Sequence, residues 1–275
     1  MKLSIIIPSY NMESKINKCL DSILNQNADK AEYEIIVVDS STDDSEKLLA
    51  EYAKKFENVK IIKCNQRKLC GTARNIGVKY ATGDYVYCVD IDDWLSENCL
   101  SKILEKLDGS IDIFYAPYKS LKDGNDVFIK PKTLRDFANV PVGVWNKIYK
   151  RTLYVQQPDY MPEDVVPHFL LIDRCQTVGY FDFLVYVYDN SDENKGAISR
   201  TFDFLKNNPQ NLLQLAYNNI LTKNNLRDEY VAGVIHNLAD MYTIRNTFKN
   251  QDVKDAFMQR FFNTYRNWQS GIYIH

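Results

Sequence analysis

Four short apolar runs constrain this chain more than anything else in it: residues 3–7, 35–38, 59–62 and 85–89. Apart from Ser4 and Lys60 they are apolar at successive positions, the mark of strands covered on both faces. Helical stripes separate them. Ile16, Cys19, Leu20, Ile23 and Leu24 recur at i, i+3, i+4, i+7 and i+8. Leu48, Leu49, Tyr52, Ala53 and Phe56 form a second stripe, with Asp43 and Glu46 spaced as a capping box. Ala73, Ile76, Gly77 and Tyr80 suit a third helix. After the fourth run, Ser96 is placed to cap a helix carrying Cys99, Leu100, Ile103, Leu104 and Leu107, and residues 112–115 read as a further strand. Such alternation predicts an α/β fold, with a mainly parallel central sheet flanked by helices on both sides.

The pattern then changes. Residues 117–143 read as irregular, and those up to about 200 are mixed. From 201 onward the chain reads as helical and aromatic, with 12 aromatic residues. Asn208-Pro209 suits a helix start, and Val253, Ala256, Phe257, Phe261, Tyr265 and Trp268 mark a last helix. The expected division is a catalytic or binding domain over 1–200, itself split at 115/116, and a helical extension over 201–275.

Lys and Arg number 34 against 36 Asp and Glu, a net charge of −2 that argues against a nucleic-acid partner. Hydrophobic residues at 45% exclude a disordered chain. No stretch reaches the roughly 20 apolar residues of a membrane span. The N-terminal apolar run is too short for a signal peptide, because Ser9 and Asn11 follow at once. The six cysteines form no C-x-x-C pair and are expected to be reduced and mostly buried. These features suggest a cytoplasmic protein, with peripheral attachment to the inner face of a membrane as a variant.

Open parallel sheets bind ligands beyond the carboxyl ends of their strands. The residues to inspect are therefore Ser9, Tyr10 and Asn11, then Asp39, then Asp90, Asp92 and Asp93. Val89-Asp90-Ile91-Asp92-Asp93-Trp94 holds three carboxylates within four residues. Alone it reads as a charged turn. At the end of a buried strand, crowded like charges need an offset, and Mn²⁺ or Mg²⁺ supplies one for hard carboxylate oxygens. On extended backbone, Asp90 and Asp92 would share one side and Ile91 the other.

In order along about 200 residues, the chain resembles the inverting family 2 glycosyltransferases of GT-A fold. Ser4-Ile5-Ile6-Ile7-Pro8-Ser9-Tyr10-Asn11 resembles the family's opening strand and loop. Cys19-Leu20-Asp21-Ser22-Ile23-Leu24-Asn25-Gln26 resembles its first helix. The segment 34–45, Ala73-Arg74-Asn75-Ile76-Gly77, and Gly83-Asp84-Tyr85 with Asp90-Ile91-Asp92-Asp93 follow, the last carrying the D-x-D motif. Trp145-Asn146-Lys147-Ile148-Tyr149 and Glu163-Asp164-Val165 complete the series.

The resemblance implies a nucleotide-diphospho-sugar donor, expected to be a UDP-sugar, over the first strands. Pro8, Tyr10 and Asn11 would lie beside the base and Asp39 on the uracil edge. Arg74 would reach the base or diphosphate, and Asp90 with Ile91 the ribose. Asp92 would be the main metal ligand, with Asp90 beside it, and Asp93 would orient its neighbours. Asp164 would be the base that deprotonates the acceptor hydroxyl, with Glu163 second. Trp145, Lys147 and His168 would line the acceptor side; a core Trp, a surface Lys and a structural His are their plain alternatives. The implied acceptor is a glycan or lipid-linked molecule, as in bacterial surface polysaccharide synthesis. A non-catalytic nucleotide-sugar-binding module and a non-glycan acceptor are the alternatives. Three departures stand out. The loop Ser40-Ser41-Thr42-Asp43 is one residue short, Tyr186-Val187-Tyr188 lacks a following arginine, and the tail from 201 matches no family motif. That tail would pack on the domain, form a homodimer or lie on a membrane.

Overall fold

The apolar runs do become central strands. The computed structural model describes residues 1–159, 163–191, 244 and 246–270, of which 261–270 are described as helix backbone only. Its first half runs β1 (Leu3–Ser9), α1 (Glu13–Leu24), β2 (Tyr33–Asp39), α2 (Ser45–Lys55), β3 (Val59–Lys63), α3 (Cys70–Tyr80) and β4 (Tyr85–Cys88). There follow β5 (Trp94–Leu95), α4 (Leu100–Lys106), β6 (Ile113–Tyr115), β7 (Tyr118–Ser120), β8 (Asp126–Val127), α5 (Leu134–Ala138), β9 (Lys147–Lys150), α6 (Val165–Arg174), β10 (Val178–Tyr180) and β11 (Tyr186–Tyr188). A last helix, α7, spans Gln251–Ser270.

The seven-stranded sheet has the order β10-β6-β9-β4-β1-β2-β3. It is parallel except for β9, which runs antiparallel to both its neighbours. Successive residues of one strand enter opposite cores. Leu3, Ile5 and Ile7 join one cluster and Ile6 the other, as Ile35 and Val37 divide from Ile36 and Val38. Each such side chain, fully buried, contributes roughly 1.5–3 kcal/mol. α3 lies close on this sheet. A Cβ on its Gly77 would stand 2.4 Å from the Ile6 side chain, so only glycine allows that approach.

A second, four-stranded sheet, β5-β11-β7-β8, covers the end of β4. The stretch 117–143, read as irregular, in fact contributes β7, β8 and α5 to the fold. Thr133 and Asp136 form a full capping box on α5. The box expected at Asp43 and Glu46 does not form. Asp43 accepts the Ser45 N–H instead, and Glu46 pairs with Lys63. Nor does Ser96 cap α4. The Gln26 side chain on the α1 side accepts the N–H groups of Cys99 and Leu100 at 2.9 and 2.8 Å. That long-range partner satisfies donors that a local serine was expected to satisfy.

α7 docks through Val253, Ala256 and Phe257, all buried. Phe257 meets Phe169 of α6 edge-on at 5.2 Å, and Asp173 of α6 accepts the Lys249 and Asn250 N–H groups before α7. Packing on the domain is therefore what this part of the tail does. The start at Asn208-Pro209 and the 200/201 boundary lie outside the described residues. Among the described residues no helix is long and apolar enough to cross a membrane. All six cysteines are free, and Cys19, Cys88, Cys99 and Cys175 are buried.

Candidate active site

β1 lies between β2 and β4, so strand building reverses beside it. The crevice beyond such a reversal is where an open α/β sheet takes ligands. β1 ends at Ser9, level with Asp39 of β2. Tyr10 follows, exposed, with the Arg67 guanidinium 5.1 Å from its ring centre. Asn11 adopts a left-handed φ of 53°, which asparagine tolerates better than most residues. Its N–H donates to Ser41 Oγ and its side-chain oxygen accepts the Thr42 N–H, both at 2.8 Å. Ser41 Oγ in turn donates to Asp39 Oδ1 at 2.5 Å. The short loop after Asp39 is thereby laced to Asn11. Tyr10, Asn11 and Asp39 thus stand together at the adjoining ends of β1 and β2. Pro8 is buried within β1, two residues past Ile6, the last rung that β1 shares with β4.

The acidic segment after β4 is a turn rather than extended backbone, closed by the Asp93 N–H donating to the Asp90 carbonyl at 3.1 Å. The expectation that Asp90 and Asp92 share a side by strand alternation therefore fails. Ile91, expected at the nucleotide, instead buries its side chain in the core, anchoring the turn. Asp93 is buried and doubly held. Tyr186 of β11 donates its hydroxyl at 2.6 Å, and the Asp189 N–H donates at 2.7 Å. The same Tyr186 hydroxyl accepts the Asp90 N–H at 3.1 Å. Burial, Asp92 and Asp90, in that order, push the Asp93 carboxyl well above the usual aspartate range. That crowding is the repulsion a cation would relieve. Among the described residues, no three His, Cys, Asp or Glu are grouped to hold a metal by themselves. Asp92 and Asp90 supply hard carboxylate oxygens of the kind that takes a divalent cation, with the remaining positions left to substrate phosphates and water.

Arg74, expected at the base or the diphosphate, is held between carboxylates. It is 2% exposed and spans two acids. One terminal nitrogen donates to Asp90 Oδ1 at 2.7 Å, and the other donates to Glu163 Oε1 at 2.5 Å and Gln157 Oε1 at 3.1 Å. The rest of the α3 N-terminus docks the segment that leads to Glu163. Asn75 donates to the Gln157 carbonyl and accepts from the Tyr154 hydroxyl, each at 2.7 Å, and Thr72 donates to Asp159. A Cβ on Gly71 would meet the Pro158 carbonyl oxygen at 2.5 Å, so glycine is needed for this contact.

Asp164 stands at the N-terminus of α6 and lines a small recess with Lys147, Gln157 and His168. Burial raises its carboxyl above the usual aspartate range, while Lys147 and Arg74 pull it back. Burial likewise raises Glu163, with Arg74 opposing. Lys147 is 2% exposed, not a surface lysine. Its ammonium donates to the carbonyls of Val142 and Gly143 and to Asn146 Oδ1, holding the loop before β9. Burial pulls its pKa down to about 7, against the Asp164 charge. His168 Nε2 is 3.3 Å from the Ala138 carbonyl. Burial and then the Lys147 charge hold the ring well below the usual histidine range, so it is neutral. Trp145 stacks on Tyr186 and Tyr188 at 5.0 and 4.9 Å, bracing the second sheet. Arg260, on the same face of α7 as Ala256 and Phe257, brings its charge to bear on Asp164. Sequence reasoning missed Tyr186, Gln157 and Gly71. Only Tyr186 had a local signal, its place in a family-like segment.

A sequence profile of glycosyl transferase family 2 matches residues 4–174. A poly(ribitol-phosphate) beta-glucosyltransferase of Bacillus spizizenii is 46% identical over 102 residues, 36% of this chain and 16% of that protein. The chain spans about half or less of the curated relatives it matches. Among solved structures, S. aureus TarS 1–349 in complex with UDP-GlcNAc superposes with a TM-score of 0.64 at 18% identity, covering 100% of this chain and 93% of that one. A mannosyltransferase from Pyrobaculum calidifontis in complex with GDP-Man and Mn²⁺ gives a TM-score of 0.55 at 16% identity, covering 98% and 82%. These superpositions bear out the GT-A fold expected from the sequence. With the profile spanning most of the catalytic body, the chain belongs to glycosyl transferase family 2.

Proposed function

We propose that this protein transfers a sugar, with inversion, from a UDP-sugar to a hydroxyl of a cell-wall glycan. A polyol-phosphate chain such as poly(ribitol phosphate) is the favoured acceptor. One observation carries the reading. Two separate acid sites, the turn 90–93 and the pair Glu163 and Asp164, lie within reach of a single guanidinium, at 2.7 and 2.5 Å. A donor held at the first would present its anomeric carbon near the second. The acceptor preference comes from the 46% identical relative, and the UDP preference from the fold shared with TarS.

In the proposed reaction Tyr10 and Asn11 flank the base, and Asp39 accepts a hydrogen bond from the uracil ring N–H. Asp92 and Asp90 would hold Mn²⁺ or Mg²⁺ together with the diphosphate, supplying electrostatic stabilisation of the leaving group. The Mn²⁺ complex of the mannosyltransferase of like fold supports this assignment. Asp164 takes the proton from the attacking hydroxyl. The new bond joins that oxygen to the anomeric carbon, and the electron pair of the broken bond leaves with UDP. Glu163 is less suited as the base, because Arg74 occupies its Oε1. Lys147 serves by fastening the loop and moderating Asp164, and His168 by forming the recess wall.

Thermal stabilisation with a panel of nucleotide sugars, with and without Mn²⁺, tests the donor. Stabilisation by UDP-glucose or UDP-GlcNAc that needs Mn²⁺ is expected, followed by transfer to poly(ribitol phosphate). Stabilisation by GDP-sugars alone would overturn the donor reading, and transfer only to a different glycan would overturn the acceptor.

A further inference from the structure

α7 runs back along α6. Asp173, near the end of α6, accepts the Lys249 and Asn250 N–H groups at 3.0 and 2.8 Å, and Phe257 meets Phe169 one turn earlier on α6. The next turn of α7 carries Arg260 toward the N-terminus of α6, where Asp164 stands. Ala256 and Phe257 are buried against the domain, and Arg260 follows them on the same face, yet its side chain is exposed. Its charge is felt at Asp164 and His168, which both line the recess. Arg135 of α5 pairs with Asp252 of α7 at 3.7 Å, whereas Arg260 forms no ion pair or hydrogen bond among the described residues. His168 Nε2 faces the Ala138 carbonyl, which leaves Nδ1 as the acceptor of a neutral ring, and that buried atom has no partner. Acceptors thus line the recess, and a guanidinium stands beside them.

We propose that Arg260 binds an anionic group of the acceptor, a phosphodiester, and so favours a polyol-phosphate chain over a neutral glycan. This rests on the proposed reading of Asp164 as the base. A carboxylate and a neutral imidazole both take hydrogen bonds from hydroxyl groups. The carboxylate repels an anion, so a phosphodiester next to the reacting hydroxyl has to lie outside the recess. There the planar fork of Arg260 matches two phosphate oxygens. A neutral sugar chain offers that fork no charge. Hydroxyls and phosphates alternate along a polyol phosphate, which suits acceptors and a cation set side by side. The donor diphosphate is the other anion of the reaction, but its proposed place is the turn 90–93 at the end of β4, not α6.

Calorimetric titration of poly(ribitol phosphate) into the protein saturated with UDP and Mn²⁺ tests this, since UDP carries no sugar to transfer. Arg260→Gln should weaken binding by at least about fivefold, as the loss of a charge-assisted hydrogen bond requires. Arg260→Lys should fall between the two, because it keeps the charge without the fork. Added salt should weaken the wild-type protein more than Arg260→Gln. UDP should bind all three alike, to within about 1.5-fold. Arg260 is exposed, so both variants should keep the fold, which matching thermal unfolding checks. Equal binding of poly(ribitol phosphate) by the wild-type protein and Arg260→Gln, or none by the wild-type protein, would overturn the proposal. So would a loss of UDP affinity in Arg260→Gln, which would assign the side chain to the donor. Should the wild-type protein bind no UDP, the donor reading fails separately, and the same titration without UDP decides. Transfer by Asp164→Asn would remove the base reading and leave the binding comparison standing.

Discussion

The two acid sites are built in different ways. The turn 90–93 hangs from the end of a central strand, and the sheet itself fixes its position. Ile91 plugs into the core, and Tyr186 and Asp189 fasten Asp93. Glu163 and Asp164 sit on a segment with no strand beneath it. Their placement depends on α3, through Gly71, Thr72, Arg74 and Asn75. A site hung on a strand end tolerates change around it, whereas one held by a few side-chain contacts moves when any of them is lost. That difference suits a division of labour in which the donor is gripped by a rigid edge and the acceptor is met by an adjustable one.

The sharpest way to break this comparison is to remove the base alone. Asp164→Asn should lower the transfer rate by roughly 10²–10⁴-fold, the span of general base catalysis, with UDP affinity kept within about twofold. Steady-state transfer assays and calorimetry on the same preparation measure both. The next effect comes from geometry without chemistry. Gly71→Ala forces the segment at Pro158 away from α3, and a displacement of about 1 Å can cost on the order of 100-fold in rate. UDP binding should fall less than the rate, because the turn 90–93 is also held by Ile91, Tyr186 and Asp189. A loss of UDP binding as large as the loss of rate would show that both sites depend on the Gly71 contact.

Smaller effects sharpen the donor side. Tyr186→Phe removes the hydroxyl that serves Asp93 and Asp90, leaving buried polar groups unpaired at a cost of about 1–3 kcal/mol. Chemical denaturation should show this loss, and UDP affinity should fall with it, while the residual rate at saturating donor changes little. The smallest effect is on pH. A base works only when ionised, and burial raises Asp164. Transfer should therefore fall on acidification at a pH above the ordinary aspartate range. Lys147 favours the ionised form, so Lys147→Met should move that acid limb to still higher pH. A limb that stays put would remove Lys147 from the electrostatics of the base.

The same contrast explains what could be read from the sequence. Residues 3–7, 35–38, 59–62 and 85–89 announce their strands because a two-faced sheet favours apolar residues at nearly every position, and the acids at their ends follow by position alone. The turn 90–93 was legible as a cluster but not in its geometry, since its shape is set by Tyr186, nearly a hundred residues away. α4 was located correctly with the wrong cap, because Gln26 reaches across from the end of α1. Lys147 shows the limit most clearly. A lysine reads as exposed from its type alone, and only the folded loop supplies the three acceptors that let it be buried. Arg74 was singled out for its type, yet its two carboxylate partners come from segments that local pattern cannot bring together.

The division of labour is tested most directly by titrating UDP into the wild-type protein, Asp92→Asn and Asp164→Asn, each with and without Mn²⁺, and assaying the same three for transfer. The account predicts that Asp92→Asn loses Mn²⁺-dependent UDP binding, while Asp164→Asn binds UDP as the wild-type protein does and fails to transfer. Normal transfer by Asp164→Asn, or equal loss of UDP binding in both variants, would contradict it.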